Sequence, residues 1–561
     1  MLQYKYNMNI KREERGMLEK TEKRHRIKKE TFLQGVLVLM VSQVLIKILG
    51  LVQTLYLTNR KGFGDTGNAI YMGGYQIYAL LLSISSIGIP NAISKLVSEK
   101  LAIGDKEGAH RVFKIAIFTF GVIGMAGTLL LFFSADVVSR LWLGIPESKV
   151  TLMILSPGVF FVAISSVFRG YFNGRAQMSA TANAQTFEQF WKTLLTIVFV
   201  ELAVVLTSTN TVYMAAAATA ATSMAIIFSF IYLYKYYIKE RQFISTKNDI
   251  TVKRDNRTFK AIVKSILWIS IPISLSAILS SLNKIVDSTT VVNILSPILG
   301  ETVAKTRYGI LSAKVDILVA LPLAFNVAFA TALVPAISAA NAKRDTITIN
   351  KRISFSILVS ILIGLPCTVG MFMYAKEILL LLFPFASDGG VLLAIMSFTI
   401  IITLVEQTIN GVLQGFGKVK TPVVALTIGI VAKIIANVVL IPIEGIYENG
   451  AAIGSIVGHG ISLIIVYAVL RKTVKLDFSL IRLSIKPILA TLIMAGCSYG
   501  VFVFVKSFIG IRISTIIAII IAVIVFAIAV VILKIFSKEE IEMLPKGDKV
   551  YSVLKKLHLY S

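Results

Sequence analysis

Gly170-Tyr171-Phe172-Asn173-Gly174 returns 241 residues later as Gly411-Val412-Leu413-Gln414-Gly415, each pentapeptide ending a long apolar run. The same interval separates Lys192 from Lys433, one lysine in the apolar run that follows each motif. Other matches keep nearly the same register: Pro90 with Pro335, Ile93-Ser94 with Ile337-Ser338, Arg111 with Arg352, and Ala135 with Ala375. One such match means little. A series in order, each at the same place relative to its apolar run, indicates a duplicated chain. A duplicated hydrophobic protein that keeps cations inside its apolar segments is most simply a carrier for an anionic substrate.

The chain has 561 residues, of which 56% are hydrophobic, and a mean hydropathy of +0.79. Its apolar runs repeatedly reach the roughly 20 residues that cross a hydrocarbon layer about 30 Å thick. These runs predict an all-α polytopic membrane protein of about fourteen transmembrane helices. Two pseudo-symmetric six-helix lobes, residues 31–235 and 265–475, are followed by an appended helix pair over 476–536. Three of the expected spans, near 70–98, 265–293 and 308–340, matter below. The remaining parts are a basic tail over 1–30, a basic inter-lobe loop over 236–264 and a C-terminal tail over 537–561. Six spans per copy put the copies in the membrane in the same orientation.

The net charge of +27 could suggest nucleic acid, but the 57 lysines and arginines concentrate in alternate loops. That asymmetry places both termini of a multi-pass membrane protein in the cytoplasm, and no nucleic-acid partner is expected. The runs Lys11 to Lys29 and Lys235 to Lys264 are topology signals, with anionic lipid as the alternative reading. The first apolar segment follows some thirty polar residues and reads as a retained helix, not a cleaved signal. Cys367 and Cys497 both fall in spans and read as inert core residues, with no disulfide framework and no metal site.

Five lysines fall within spans: Lys47, Lys192, Lys284, Lys314 and Lys433. A lysine at the bilayer centre costs on the order of 3 kcal/mol, so something must compensate each one. Helical spacing offers Glu188 to Lys192 and Asp287 to Lys284, whereas Asp316, two residues from Lys314, faces away from it. On that basis Lys192 and Lys284 are either ion-paired or cavity-lining, and Lys433 lacks a partner on its own helix. Lys47 and Lys314 are expected to line a cavity. Glu406 is a membrane carboxylate with no local cation, and two readings of it stand: a proton or cation site, or a carboxylate hydrogen-bonded to Asn410 and Gln414. His459 reads as a packing residue. Ser83, Ser85, Ser86, Ser276, Ser280 and Ser281 would give the cavity a small, polar wall, or else pack helices. Prolines 90, 157, 272, 322, 335 and 366 are expected to bend spans, with the second and eighth as cavity walls.

Several segments resemble a known family. Ile46-Lys47-Ile48-Leu49-Gly50, Ile89-Pro90 with Ala92 to Glu99, Phe168 to Gly174 with Glu188-Gln189, Leu333 to Ser338, and Leu413 to Lys418 look like the polysaccharide-transporter branch of the multidrug/oligosaccharidyl-lipid/polysaccharide flippase superfamily. Within it, residues 31 to 540 are most similar to the stage V sporulation protein B and MurJ-type lipid II flippases. The resemblance implies two lobes around a central cationic cavity, a groove for a lipid tail beside the last two helices, and alternating access. It also maps Lys47 onto a basic cavity position of the first helix. This chain departs by carrying Gln53-Thr54 where relatives have a second arginine, and no base among Tyr75 to Ser86. Of the eighth-helix Asp-Arg pair it keeps only Asp316, with Ile317 following and Lys314 nearby.

The function expected from these readings is outward flipping of an undecaprenyl-pyrophosphate-linked saccharide, with Lys47, Lys284 and Lys314 holding the pyrophosphate. Lysine suits a mobile anion because it is a point charge without a bidentate clamp. No catalytic residue, metal or cofactor is expected. The membrane potential, worth about 2.3 kcal/mol per charge per 100 mV, is the drive, with Na+ or H+ as coupling ion and Asp287, Asp316, Glu188 and Glu406 as coupling or cavity acids. Membrane lipids and cell-wall synthesis machinery are the expected partners of a monomer. A cation-coupled multidrug antiporter is the rival reading, and it would want lone acids where this chain has cations. The loops show no enzyme motif.

Overall fold

The computed structural model describes residues 32–83, 88–244, 258–342, 345–542 and 551–552. They form eighteen helices: α1 (Phe32–Asn59), α2 (Gly64–Ser83), α3 (Ile89–Ala102), α4 (Lys106–Val137), α5 (Ser148–Gly174), α6 (Met178–Thr207), α7 (Thr211–Ile244), α8 (Phe259–Leu299), α9 (Glu301–Gly309), α10 (Asp316–Ala342), α11 (Thr346–Met373), α12 (Ala375–Leu382), α13 (Gly390–Gly415), α14 (Lys420–Leu440), α15 (Asn449–Thr473), α16 (Leu480–Ile509), α17 (Ile511–Ile532) and α18 (Lys538–Glu542). Single π-helical turns follow α4 and α9, at Val138–Trp142 and Ile310–Val315.

Eleven helices among the described residues are long and apolar enough to cross a membrane: α1, α4 to α7, α11 and α13 to α17. The expected count of fourteen is not reached on that measure. The other three expected segments are helical but differently built. The second is divided between α2 and α3, and Pro90 sits at the start of α3, where its missing N–H costs nothing and its φ suits a first turn. The seventh lies within α8, 41 residues long. The eighth runs from the end of α9 through the π turn into α10. The basic tail and residues 245–257 of the inter-lobe loop fall outside the described residues.

Many large apolar side chains are exposed, among them Val205 (80%), Phe133 (76%) and Val523 (65%). Water would penalise such a surface, and hydrocarbon solvates it. The protein is therefore a multi-pass membrane protein. Cys497 lies on this outer surface and not in the core, while Cys367 is half-buried; both are free thiols.

Three apolar cores organise the helices. The largest draws on both halves of the chain, joining Leu57, Tyr71, Leu143 and Leu152 to Val292, Leu311, Phe383 and Leu392. It lies toward the end of the molecule where α1 finishes and α2 begins, called the distal end below. At the opposite, proximal end the halves keep separate cores. One comprises α3 to α7 with Ile262 and Ile266 of α8, the other α10, α11 and α13 to α15. The two halves thus share one core at one end and keep separate cores at the other, and α8 reaches across from its first turns in the first half to α14 in the second. The C-terminal pair packs on the second half, α16 against α11 and α17 against α12, with the Tyr374 hydroxyl donating to Ser498 Oγ at 3.0 Å.

The repeated glycines have a packing reason. A Cβ on Gly170 would lie 2.8 Å from the Pro90 carbonyl oxygen, and one on Gly174 2.8 Å from that of Ser94, so only glycine lets α3 lie this close to α5. In the second copy the equivalent serine, Ser338, donates to the Gly415 carbonyl at 2.9 Å. The Ile-Ser and Gly-x-x-x-Gly motifs of each copy are two sides of one helix contact.

Candidate functional site

Lys314 sits in the π turn, whose extra residue rotates the positions beyond it relative to α9. Its ammonium is fully buried and donates to Asp65 Oδ2 of α2 at 2.9 Å and to the Ala386 carbonyl at 2.8 Å. The expectation of a cavity-lining lysine without a partner is corrected here: its partner comes from the other half of the chain, 249 residues away. Asp65 lies in the first turn of α2, where the helix dipole also favours a carboxylate. Further bonds tie the halves together at the same end. Asn59 donates to the Leu382 carbonyl at 2.8 Å, Lys305 pairs with Glu147 at 2.7 Å, and Thr66 meets Thr306 at 3.1 Å. Together with the shared core they form a distal seal.

Lys433 of α14 is likewise buried, donating to Asp287 Oδ2 of α8 at 2.7 Å and to the Asn283 carbonyl at 3.0 Å. Asp287 was expected to serve Lys284; it serves Lys433 instead, because α14 packs against α8 and brings the cation to the acid's buried side. That approach depends on Gly458 of α15, where a Cβ would stand 3.1 Å from the Lys433 Cβ and 2.8 Å from the Gly429 carbonyl oxygen. Lys192, the repeat partner of Lys433, is half-buried and lies 4.3 Å from the Tyr75 ring centroid. Its expected partner Glu188 is taken by Arg169 of α5 at 3.0 Å. Arg169 is itself 5% exposed and was missed as a buried cation, although its place inside the fourth span was legible.

Besides Lys192, two of the five lysines keep no carboxylate within ion-pair distance among the described residues: Lys47 of α1 and Lys284 of α8. Both are exposed, yet they belong to opposite halves and are close enough to repel each other. Asp316 is half-buried and within electrostatic reach of Lys284, Asp287 and Lys433. Ser83 Oγ meets Ser281 Oγ at 2.5 Å across the halves; Ser85 and Ser86 lie outside the described residues. Two exposed like charges brought near one another from opposite halves favour an anion beside them.

Glu406 is not in the second of its expected settings. Its carboxylate is 4% exposed and accepts from Ser462 Oγ at 2.5 Å and His459 Nδ1 at 2.9 Å, both on α15, and no bond joins it to Asn410 or Gln414. The histidine three-quarters of a turn from Ser462 was the signal to read, since two donors on one face of a neighbouring helix suit a carboxylate.

Comparison with known proteins identifies the class. The family model for "Polysaccharide biosynthesis protein" matches residues 32–341, and the chain belongs to that family; the MatE model matches residues 311–439. Two Bacillus subtilis (strain 168) proteins are similar over most of their length. Stage V sporulation protein B is 26% identical over 77% of this chain and 82% of its own. Lipid II flippase MurJ is 24% identical over 78% of this chain and 82% of its own. Among solved structures, a MurJ lipid II flippase in an inward closed conformation superposes with a TM-score of 0.68 at 18% identity, covering 88% of this chain and 98% of that one. An inward-facing multidrug resistance transporter of the MATE family gives 0.63 at 15% identity, covering 78% and 98%. The fold is that of the superfamily which includes both, as the motifs had implied.

Proposed function

We propose that this protein is a flippase that moves a polyprenyl-pyrophosphate-linked saccharide, lipid II or a related cell-wall precursor, from the inner to the outer leaflet by alternating access. The observation that carries the reading is the pair Lys47 and Lys284, one from each half, accessible and unpaired across the gap. A pyrophosphate entering between them relieves their repulsion and engages both halves at once. A core shared at the distal end, against separate cores at the proximal end, supports a state sealed distally. With the termini cytoplasmic, as the distribution of basic residues argues, the proximal end faces the cytoplasm, where lipid-linked precursors are made. Lys192, held over tyrosine rings with no acid of its own, adds positive potential to the first half. The names of the similar B. subtilis flippase and of its structural counterpart support the same substrate class.

An inside-negative potential favours outward movement of the anion and inward return of the emptied cationic site, at about 2.3 kcal/mol per charge per 100 mV. The antiporter reading is weaker here because Asp65 and Asp287 are spent on lysines, Glu406 is held by two donors, and the accessible charges are positive. In proteoliposomes carrying a fluorescent undecaprenyl-pyrophosphate saccharide, with quencher added outside, the double variant Lys47→Gln, Lys284→Gln is expected to flip at least tenfold more slowly. That corresponds to about 1.4 kcal/mol of lost interaction. Unchanged flipping in a correctly inserted double variant would remove these lysines from the substrate path.

A further inference from the structure

The buried Glu406–His459 pair plays no part in the anion site. We propose that it is the proton-binding element that couples transport, taking H+ and not a metal cation; this rests on the transport reading above and deepens it by naming the coupling ion.

The hydrogen bonds define the resting state. His459 Nε2 lies 3.4 Å from the Asn283 amide nitrogen of α8. With that nitrogen as donor, Nε2 accepts, and Nδ1–H is the group turned to Glu406. Around Glu406 the oxygens face a hydroxyl donor and an N–H donor, a ring of hydrogens where a metal ion would need lone pairs. The nearby oxygens of Asp287 and the Asn283 carbonyl already hold the Lys433 ammonium, and Asn437 donates its amide N–H to Asp287 Oδ1. Asn437 also donates to Thr290 Oγ1 at 2.9 Å.

The charge balance points to a proton. Lys433 and Asp287 pair with each other, so among the described residues His459 is the one basic side chain within ion-pair distance of the buried Glu406 carboxylate. The His459 side chain is 21% exposed against 5% for Glu406, so the histidine is where a proton arrives. The titratable groups on the helices packed about the pair are Lys284 and Asp287 of α8, Asp316 of α10 and Lys433 of α14, which lie within electrostatic reach of one another. Lys351, Arg352, Lys376, Glu377, Lys420, Arg471 and Lys472 lie in the terminal turns of α11, α12, α14 and α15.

Protonation has a mechanical consequence. A proton on Nε2 sets two donors, imidazolium N–H and Asn283 N–H, against each other, and the amide must turn or withdraw. Asn283 immediately precedes Lys284, its carbonyl is held by Lys433, and its helix α8 packs on both halves. A proton on His459 therefore acts on the helix that carries half of the anion site, and its loss to the opposite side resets the amide.

The test uses the full-length protein in proteoliposomes at clamped potential, with the labelled lipid-linked saccharide, comparing a one-unit pH gradient with a tenfold Na+ gradient. The pH gradient is expected to change the wild-type rate several-fold and the Na+ gradient to leave it unchanged. In Glu406→Gln and His459→Gln the ratio of rates with and without the pH gradient falls to one. Wild-type flipping indifferent to pH gradient, a response to Na+ alone, or an intact ratio in both variants overturns the assignment. If no gradient supports flipping, the transport reading falls, and 15N-histidine NMR of the purified protein, with 4 histidines, decides the proton site alone. A His459 titration displaced by Glu406→Gln and insensitive to Na+ supports it, and a His459 that does not titrate, or is unmoved by Glu406→Gln, overturns it.

Discussion

Lys192 and Lys433 occupy equivalent positions in the two copies, and the protein treats them oppositely. In the second copy the lysine is locked to Asp287, with the Asn283 carbonyl as a further acceptor. In the first copy no carboxylate is within ion-pair reach of Lys192 among the described residues, and tyrosine rings carry the burden. Duplication preserved the cation, but its neutralisation diverged. At this position one copy holds an electrically closed strut, and the other keeps a cation with no carboxylate of its own.

The largest effect should separate the two lysines. Lys433→Ala strands Asp287 in an apolar interior and is expected to cost roughly 3–5 kcal/mol, read as a fall in the thermal midpoint of the detergent-solubilised protein. Lys192→Ala should cost only about 1 kcal/mol, the scale of a cation–π contact, while slowing flipping more than it lowers stability. Equal stability losses would mean that the copies do not differ as their partners suggest. Pairing Lys433→Met with Asp287→Asn should recover most of the first loss, since no charge is then left alone.

The next effect concerns the ends of the molecule. Asp65→Asn leaves Lys314 without its counter-ion at the distal seal, and the population should shift toward separation of the halves there. Spin labels placed at Thr66 and Thr306, which touch in the sealed state, would report a new, longer distance. An unchanged distance distribution would show that the shared apolar core, and not the ion pair, keeps the seal.

The smallest effect lies at the C-terminal helix. Lys351 meets Glu539 at 2.6 Å on an exposed surface and holds that carboxyl below its usual range. A lowered carboxyl pKa stabilises above the unfolded-state value and is lost as pH falls through the folded one. Docking of α18 should thus weaken only in acid, below about pH 4, as protease sensitivity near residue 540, and Lys351→Ala should leave the thermal midpoint within error.

Apolar run length, glycine spacing and the 241-residue interval determined, with no coordinates, that this is a helical membrane protein built from two copies of one unit with cations at depth. Those signals are local or periodic, and a helix in hydrocarbon must satisfy its own backbone, so they survive any tertiary arrangement. Which lysine stays free was decided only in three dimensions. Spacing rules see partners on the same helix, whereas Asp65 reaches Lys314, Asp287 reaches Lys433 and Arg169 reaches Glu188 across helix interfaces. The divided second span and the π turn before α10 redirected side chains by amounts that no uniform 3.6-residue period contains.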